Sequence, residues 1–481
     1  MPEVLTLRED QEVLAEEARD AYRAGHSQVI VQAETGFGKT TMFTDFAQTS
    51  IRKGYTCHVF AHLNELIDQI AERFDRYGLR YGLMQGGKHI RPEEALQICS
   101  IQTYCRRLDR VVPPDLVIFD EAHHCVANSY QDVVRWAQRM NGAHVLGVTA
   151  TPMRTDGKGL STAGYTSLVK GPTTKTLIER GSMVKVAIYT RPGSFINAGR
   201  SREYTVTEAE EIAEKADIFG NTVSEYQRVA MGLLAVAFFA SVRHATKGAQ
   251  AFNDVGIPAA VLYGDMPKDE RKRLFKAFLN REILVLCNCN LIAEGVDVPG
   301  IECVIFAKPS KSLIHYKQGI GRGTRPAPGK DYCVMIDQVG LYEQFGPPDR
   351  HIDWTLESGA VLAPIEKLKQ CKQCLRWVAQ NARQCEYCGA KFGTGGGGGR
   401  EVTTADGQLL LVTEDLILRP KEDKRKSLTR RLDQTARTLE DFKAIEKERG
   451  YLPGWAEVAH RRSKQTAEKK KNLPPKRGDR F

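Results

Sequence analysis

Residues 28–40 read QVIVQAETGFGKT, a β-branched run that passes straight into a glycine-rich loop. Glycines at 36 and 38 let the backbone turn tightly, so that its N–H groups can face an anion at the start of the next helix. Lys39 would then reach the β- and γ-phosphates of a nucleotide, and Thr40 would offer a hydroxyl to Mg²⁺. A chance glycine-rich turn is the alternative, but the strand–loop–helix context favours a phosphate loop. The predicted nucleotide-binding residues are Thr35, Gly36, Phe37, Gly38, Lys39 and Thr40.

A second strand-like run, DLVIFD at 115–120, leads into two adjacent acidic residues, Asp120 and Glu121. The carboxyl ends of parallel strands meet at one edge of a sheet, so these acids should lie beside the phosphate loop. We expect Asp120 to hold the Mg²⁺ shell and Glu121 to polarise the attacking water. An exposed acidic turn is the plain alternative, and the phosphate loop makes it implausible. Together the two elements predict a nucleotide hydrolase.

Short apolar runs alternate with amphipathic helical patterns, first up to about residue 150 and again from residue 233. This alternation is typical of α/β domains in which helices cover both faces of a parallel sheet. Because the rhythm restarts after the stretch at 154–222, two α/β domains in tandem are predicted. The predicted strands are 28–32, 57–61, 96–100, 115–120 and 144–149, then 233–240, 258–264, 282–288, 302–307 and 331–337.

The composition is that of a globular protein, because 42% of the 481 residues are hydrophobic and 27% are charged. These proportions exclude a fibrous or mainly disordered chain. The longest apolar run, at 231–240, is too short to span a bilayer, and the first residues lack the apolar core of a signal peptide. We therefore expect a soluble, intracellular protein with no membrane partner. Much of the net charge of +10 lies at 461–481, which would either hold phosphate or form a solvated tail.

The order of the motifs resembles that of the superfamily 2 helicases, specifically their DEAH-type members, across residues 5–340. After the phosphate loop come Asp120-Glu121-Ala122-His123, Thr149-Ala150-Thr151, Glu294-Gly295-Val296-Asp297 and the run QGIGRGTR at 318–325. The strings GDMPKDERKRLFKAFLNREILVLCN and KPSKSLIHYKQGIGRGTRPAPGK further resemble the RadD-like bacterial repair helicases and helicases encoded by phages. The resemblance implies two RecA-like domains and an ATP-dependent motor that acts on nucleic acid. It also implies a cytoplasmic location, in a bacterium or a phage-infected cell.

The same resemblance implies roles for individual residues. Gln11 would recognise adenine, and Asp297 and Gln318 would line the cleft between the domains. Arg322 and Arg325 lie three residues apart on a presumed helix, so both can face that cleft. There they would stabilise charge during phosphoryl transfer, where an arginine finger is worth ~10³–10⁵ in rate. The residues that would pass the nucleotide state to the nucleic-acid face are His123, Thr149 and Thr151.

Nucleic acid would lie across the other face of both domains, on segments that are mostly small and polar, as suits a grip on the phosphate backbone. These segments are 61–69, 100–103, 241–244 and 294–297. Asn288-Cys289 stands where many relatives have a hydroxyl residue, although the Asn288 amide could replace it. The expected partner is DNA, single-stranded or forked, in replication, recombination or repair. A duplex translocase without unwinding and an RNA helicase stay open as alternatives, whereas the intact hydrolytic residues disfavour a non-catalytic adaptor.

Four cysteines stand in two pairs, Cys371-x₂-Cys374 and Cys385-x₂-Cys388. Two such pairs predict a tetrahedral, structural Zn²⁺ site, with free thiols or a redox pair as the alternatives. Because so short a ribbon cannot bury much apolar surface, the metal would supply its folding energy. Basic residues around Trp377 would suit nucleic acid. A protein partner is the other candidate for the ribbon or for the basic tail.

These inferences predict an α/β protein with the cofactors ATP, Mg²⁺ and Zn²⁺. The predicted segments are a RecA-like ATP-binding domain at 1–200, a connector at 201–225, a second RecA-like domain at 226–345, a zinc ribbon at 365–393, a glycine-rich linker at 394–400 and a basic, partly disordered segment at 401–481.

Overall fold

The computed structural model describes most of the chain up to residue 362 and short pieces beyond it. The described residues are 2–86, 88–154, 157–190, 203–215, 218–289, 300–362, 368–370, 377–379, 382–384, 389–392, 410–411, 438–440, 443 and 460. Contacts divide the chain into two units, Met1–Leu418 and Arg419–Phe481. The fold described below is that of the first unit.

Side-chain hydrogen bonds cap the first turn of some of the helices. In two of them a serine hydroxyl accepts a hydrogen bond from the backbone N–H three residues later, Ser241 from His244 and Ser312 from His315, each at 3.1 Å. The helices are α1 (Glu9–Arg23), α2 (Lys39–Arg52), α3 (Asn64–Arg76), α4 (Ile101–Tyr104), α5 (Asn128–Asn141), α6 (Thr174–Glu179), α7 (Val206–Lys215), α8 (Ile218–Val229), α9 (Val242–Asp254), α10 (Lys268–Leu279), α11 (Leu313–Gly323) and α12 (Leu341–Phe345).

Strands occupy all ten of the predicted apolar runs, and further strands occur where the sequence is more mixed. In the first domain they are β1 (Gln28–Gln32), β2 (Cys57–Ala61), β3 (Gly82–Gln85), β4 (Lys88–Ile90), β5 (Leu96–Ser100), β6 (Leu116–Asp120), β7 (His144–Thr149) and β8 (Ser167–Lys170). Further along they are β9 (Lys185–Thr190), β10 (Ala235–Phe238), β11 (Ala259–Leu262), β12 (Val285–Asn288), β13 (Cys303–Phe306), β14 (Tyr332–Asp337), β15 (Asp353–Thr355), β16 (Gly359–Val361), β17 (Leu368–Gln370), β18 (Trp377–Ala379) and β19 (Leu410–Leu411).

The first sheet has the order β4-β3-β5-β2-β6-β7-β1-β8 among the described residues. Its strands pair in parallel except for the antiparallel β3–β4 hairpin. Register aligns the ends of three neighbouring strands, β6, β7 and β1. Gln32 of β1 pairs with Thr149 of β7, and Asp120 of β6 pairs with Val148 of β7. The phosphate loop, the acidic pair and the Thr149 motif therefore emerge at one edge of the sheet.

The second sheet has the described order β11-β12-β10-β13-β14-β9-β19, parallel except for β19. Strand β9 pairs with β14 along its whole length, from Lys185↔Tyr332 to Thr190↔Asp337. The chain thus enters the second sheet before residue 200, where the sequence had placed the domain boundary. Strand β9 escaped prediction although it contains the apolar run VAIY at 186–189, because it lies inside the stretch 154–222, where the strand–helix alternation is interrupted.

Helix α11 packs unusually closely on the second sheet, and its glycines permit this. A Cβ added at Gly319 would lie 2.8 Å from the Phe306 ring, and one at Gly323 would collide with the Cys333 side chain. The helix is buried along almost its whole length. Its position relative to the second sheet is therefore fixed, and with it the positions of Arg322 on the helix and of Arg325 just past its end.

Beyond the second sheet, β15 and β16 form one antiparallel pair and β17 and β18 form another. The β17–β18 pair falls within the predicted ribbon segment. The described residues contain no helix both long and apolar enough to cross a membrane.

Candidate nucleotide site and nucleic-acid face

The loop between β1 and α2 has the backbone geometry that a phosphate loop needs. Gly36 and Gly38 have φ values of +92° and +90°, in the left-handed region that favours glycine. Helix α2 starts at Lys39. Its first N–H groups and the positive end of its dipole therefore face the space that the loop encloses. The Lys39 ammonium lies 3.4 Å from the carbonyl oxygen of Ala33, on the same loop. The Phe37 side chain is buried in the core and anchors the loop.

Gln11 holds this loop from the first helix. Its side-chain amide donates to the carbonyl oxygen of Phe37 at 2.9 Å, and its Oε1 accepts the backbone N–H of Arg8 at 3.0 Å. The Arg8 guanidinium donates to the same Phe37 oxygen at 2.7 Å. In this structure, therefore, Gln11 contacts the loop backbone, and adenine recognition by Gln11 stays a prediction. Arg8 was not predicted as a site residue, and its place three residues before Gln11 was the available signal.

Asp120 and Glu121 lie at the end of β6 in different electrostatic environments. Burial, and then the adjacent Glu121, raises the pKa of Asp120 to about 6. Burial alone would raise the pKa of Glu121 as well, but Lys39 and His123 outweigh it and lower that pKa below its ordinary value. Glu121 has φ +50°, unusual for a non-glycine residue, and its N–H donates to Asp120 Oδ1 at 3.0 Å. A charged Glu121 can act as a base or orient a water molecule.

The three predicted coupling residues form a series of contacts that starts at Glu121 and ends at Thr151. His123 Nδ1 lies 3.1 Å from Thr149 Oγ1 and 3.4 Å from Glu121 Oε2. Thr149 Oγ1 in turn accepts the backbone N–H of Thr151 at 3.1 Å. These hydrogen-bonded side chains therefore connect the Glu121 carboxylate with the loop that follows β7.

The second domain places Arg322 and Arg325 beside the phosphate loop and the acidic pair of the first domain. Arg322 is buried, and its charge contributes to the low pKa of Glu121. Arg325 packs on the phosphate loop, because a Cβ at Gly36 would lie 3.7 Å from its Cγ. A cavity of about 790 Å³ opens between the domains at this point. Its lining includes Thr35, Gly36, Gly38, Lys39, Thr40, Asp120, Glu121, Arg322 and Arg325.

These residues fit Mg²⁺ and a nucleoside triphosphate. The loop and the start of α2 offer N–H donors to phosphate, and Lys39 and the two arginines supply positive charge. A carboxylate and a hydroxyl, those of Asp120 and Thr40, are oxygen ligands of the kind that Mg²⁺ takes. Gln318 is buried on α11, and Asp297 lies outside the described residues.

Ion pairs join the two domains beside the cavity. Arg271 of α10 pairs with Glu65 of α3, and Lys268 of α10 lies 2.5 Å from Asp68 of α3. The two domains are thus joined by the ion pairs between α10 and α3 as well as by the contacts of Arg322 and Arg325 with the first domain.

The candidate nucleic-acid face contains residues that sequence analysis missed. Gln85 in the β3–β4 hairpin donates to Asn64 Oδ1 at 2.7 Å, and the Gly86 N–H donates to Thr103 Oγ1 at 3.1 Å. Arg107 donates to the Gly86 carbonyl at 3.4 Å. The hairpin therefore joins two of the predicted strand-contacting segments, 61–69 and 100–103. The Gly86-Gly87 pair was the available signal for this turn.

In the second domain, the predicted contact segment at 241–244 is covered by carboxylates of α7. Glu210 accepts a hydrogen bond from Ser241 and pairs with Arg243 at 2.6 Å, while Glu214 Oε1 lies 3.4 Å from His244 Nε2. Asn288 does not fit the role suggested for its amide. It is fully buried and donates to the Ala237 carbonyl at 3.0 Å, so the amide points into the sheet.

The predicted zinc site cannot be located in the described part of the chain. Cys371, Cys374, Cys385 and Cys388, like the 294–297 segment, lie outside it. Within the described residues, no three or more His, Cys, Asp or Glu side chains group as a metal site. The zinc site therefore stays a prediction.

Two family models match the chain in tandem. Residues 4–154 match the res subunit of type III restriction enzymes, and residues 215–327 match the helicase conserved C-terminal domain. A 51.5 kDa protein of a Lactococcus phage is 30% identical over 76% of this chain and 78% of its own length. The protein irc3 of Schizosaccharomyces pombe, named as an inferred mitochondrial ATP-dependent helicase, is 27% identical over 75% of this chain but 61% of its own length.

Solved structures agree on the fold. A fragment assigned as an HsdR subunit of a type I restriction enzyme from Vibrio vulnificus has a TM-score of 0.57 at 18% identity, over 74% of this chain and 70% of that chain. The DNA-bound restriction-modification enzyme LlaBIII has a TM-score of 0.51 at 17% identity, over 70% of this chain and 28% of that much longer chain.

Proposed function

Because this chain belongs to the superfamily 2 helicases, we propose that it is an ATP-driven motor that moves along DNA and separates its strands. The observation that carries the proposal is the convergence of Glu121, Lys39 and Arg322 on one cavity between the domains. DNA is the favoured polymer because the family model matched by the first domain is named for a restriction enzyme.

Hydrolysis would divide its tasks among residues of both domains. Lys39 and the loop N–H groups hold the β- and γ-phosphates, and Thr40 and Asp120 hold Mg²⁺, which supplies charge neutralisation at the phosphates. Glu121, kept ionised by Lys39 and His123, orients and deprotonates the attacking water. Arg322 and Arg325 stabilise the charge that develops on the transferred group.

Movement would follow from closure of the cleft. The two domains meet around the nucleotide, so binding draws them together and release of product lets them part. The contacts among Glu121, His123, Thr149 and Thr151 give the nucleotide state a physical route to the segment after β7. The β3–β4 hairpin, with Asn64, Thr103 and Arg107, would hold the phosphate backbone without reading bases.

The four-cysteine segment would add a structural Zn²⁺ ribbon that binds nucleic acid or a protein partner. Its two CxxC pairs are the support for this part of the proposal. Replication, recombination or repair of DNA is the proposed setting.

Steady-state ATP hydrolysis tests the choice of polymer. Rates are measured without nucleic acid and then with single-stranded DNA, forked DNA, plain duplex and RNA. We expect the largest stimulation with single-stranded or forked DNA. Stimulation by plain duplex alone would favour a translocase that separates nothing, and stimulation by RNA alone would contradict the DNA assignment.

A further inference from the structure

We propose that Lys317 is a positioning residue: its buried ion pair with Glu34 sets the register of the arginine-bearing helix α11 on the phosphate loop. Neither residue figures in the hydrolytic roles described above. The inference rests on the proposed ATP hydrolysis at this cavity, and it concerns how the two domains are aligned for that reaction.

The ion pair is buried and its ammonium is fully hydrogen-bonded. Lys317 Nζ lies 3.0 Å from Glu34 Oε2, and the side chains are 5% and 9% exposed. The same ammonium donates to Thr174 Oγ1 at 3.1 Å and to the Pro348 carbonyl at 3.2 Å. Three partners satisfy the three donors of a lysine. A buried charge is tolerated only with such satisfied geometry, so this arrangement has little freedom to shift.

Lys317 is the first of three contacts between α11 and the loop. Lys317, Gly321 and Arg325 follow one another at a spacing of four residues, which places the first two on one face of the helix and Arg325 just past its end. Their partners are consecutive residues of the loop, namely Glu34, Thr35 and Gly36. Each step of four residues along α11 therefore corresponds to one residue along the loop.

Glycine at position 321 makes this close packing possible. A Cβ there would lie 2.6 Å from the Cβ of Thr35, so any larger residue would push the helix away from the loop. The contact at Arg325 is looser, with its Cγ 3.7 Å from a Cβ placed on Gly36. Lys317 thus fixes the alignment through a hydrogen-bonded ion pair, and Gly321 allows the helix and the loop to approach closely.

The register decides where Arg322 lies. Arg322 follows Gly321 directly, and it is buried beside Asp120 and Glu121, whose charges act on it. A shift of the second domain, with α11, by one helical turn along the phosphate loop would move the guanidinium about 5.4 Å along the helix axis. Even a misplacement of about 1 Å can cost about 100-fold in rate. The Lys317–Glu34 pair is therefore expected to act on turnover more than on ATP binding.

The test compares Lys317→Met in the full chain with the same change in an Arg322→Ala background. We expect Lys317→Met to lower kcat by about 10- to 100-fold while the affinity for a fluorescent ATP analogue is unchanged. In the Arg322→Ala background the second substitution should have almost no further effect, because the register matters only through that arginine. Equal losses in both backgrounds would mean a merely structural role and would overturn the proposal.

Two further variants keep the test decisive. Lys170→Met breaks the exposed ion pair with Asp353, whose atoms are 2.8 Å apart, and should leave kcat unchanged. Gly321→Ala disturbs the register without removing a charge, so it decides the matter if Lys317→Met does not fold. Unchanged kcat in Gly321→Ala would contradict the proposal that the register of α11 on the phosphate loop controls turnover. If the unaltered chain hydrolyses no ATP with any polymer, the proposed function itself is wrong. If the unaltered chain hydrolyses ATP and Lys317→Met does so at the same rate, only the proposed role of Lys317 is wrong.

Discussion

Position 38 requires glycine for two separate reasons. Its φ of +90° lies in a region that costs other residues about 1–2 kcal/mol. In addition, a Cβ there would lie 2.5 Å from the Gln11 amide nitrogen. We expect Gly38→Ala to weaken ATP binding strongly, because Gln11 would have to release the loop. Titration with a fluorescent ATP analogue measures this.

Gly54 offers a matched control, since it has φ +83° and nothing within 4 Å of an added Cβ. Gly54→Ala carries the same backbone cost without the collision, so it should bind ATP normally. Equal ATP affinities in the two variants would show that Gln11 does not support the loop.

Glu121 is expected to be needed for turnover and not for binding. Glu121→Gln keeps the size of the side chain but removes the charge that activates water, so hydrolysis should fall to background while ATP still binds. Asp132→Asn, an exposed acid on α5, is the control and should hydrolyse ATP normally. Turnover near the normal rate in Glu121→Gln would contradict the proposal that Glu121 activates the attacking water.

At the scale of residues, the sequence revealed those groups whose order along the chain carries the signal. The phosphate loop and the acids after β6 could be predicted because each follows its own strand. Arg8, Glu34 and Lys317 could not, because their roles depend on contacts between distant parts of the chain. The amide of Asn288 was misjudged for a related reason, since only the sheet determines which way it points.

Helix α7 presents its carboxylates to the segment 241–244, which is predicted from the sequence to contact nucleic acid. Glu210 bonds to both Ser241 and Arg243, and these contacts hold its pKa down to about 2. A carboxylate in this place competes with a phosphate for the same donors. We expect Glu210→Gln to reduce the DNA concentration that gives half-maximal ATPase stimulation.

The control for this helix is Glu211→Gln, which removes the same charge from an adjacent, exposed position on α7. It should leave the half-maximal DNA concentration unchanged. A higher DNA requirement in Glu210→Gln would mean instead that α7 helps to build the binding surface.

Among the elements, the strands that could be predicted are those with continuous apolar runs, such as β6, which is buried at every residue. The strands β3 and β8 were missed because each is short and mixes buried with partly exposed residues. Such strands are specified by their neighbours in the sheet more than by their own pattern. The position of β9 in the second sheet could not be predicted for a different reason, because β14, the strand beside it, lies far along the chain.

For the molecule as a whole, the zinc ribbon is predicted to be separate from the motor. Both sheets of the two domains are built almost entirely from residues before 338. We therefore expect Cys385→Ser to lose about one zinc ion per chain while ATP hydrolysis without nucleic acid persists. Metal analysis of the purified protein measures the zinc content.

Cys105→Ser serves as the control, because Cys105 is a partly buried free cysteine at the end of α4. It should keep its zinc. Absence of zinc from the unaltered protein would contradict the ribbon, and loss of basal hydrolysis in Cys385→Ser would contradict its separation from the motor.

The central claim is that ATP hydrolysis between the two domains drives movement along DNA. Displacement of streptavidin from a biotin at the end of a DNA strand measures this directly, because the protein must travel to the end and push. We predict displacement with ATP, none with ADP and none by Glu121→Gln. DNA-stimulated hydrolysis without displacement from single-stranded, forked or duplex DNA would contradict the claim.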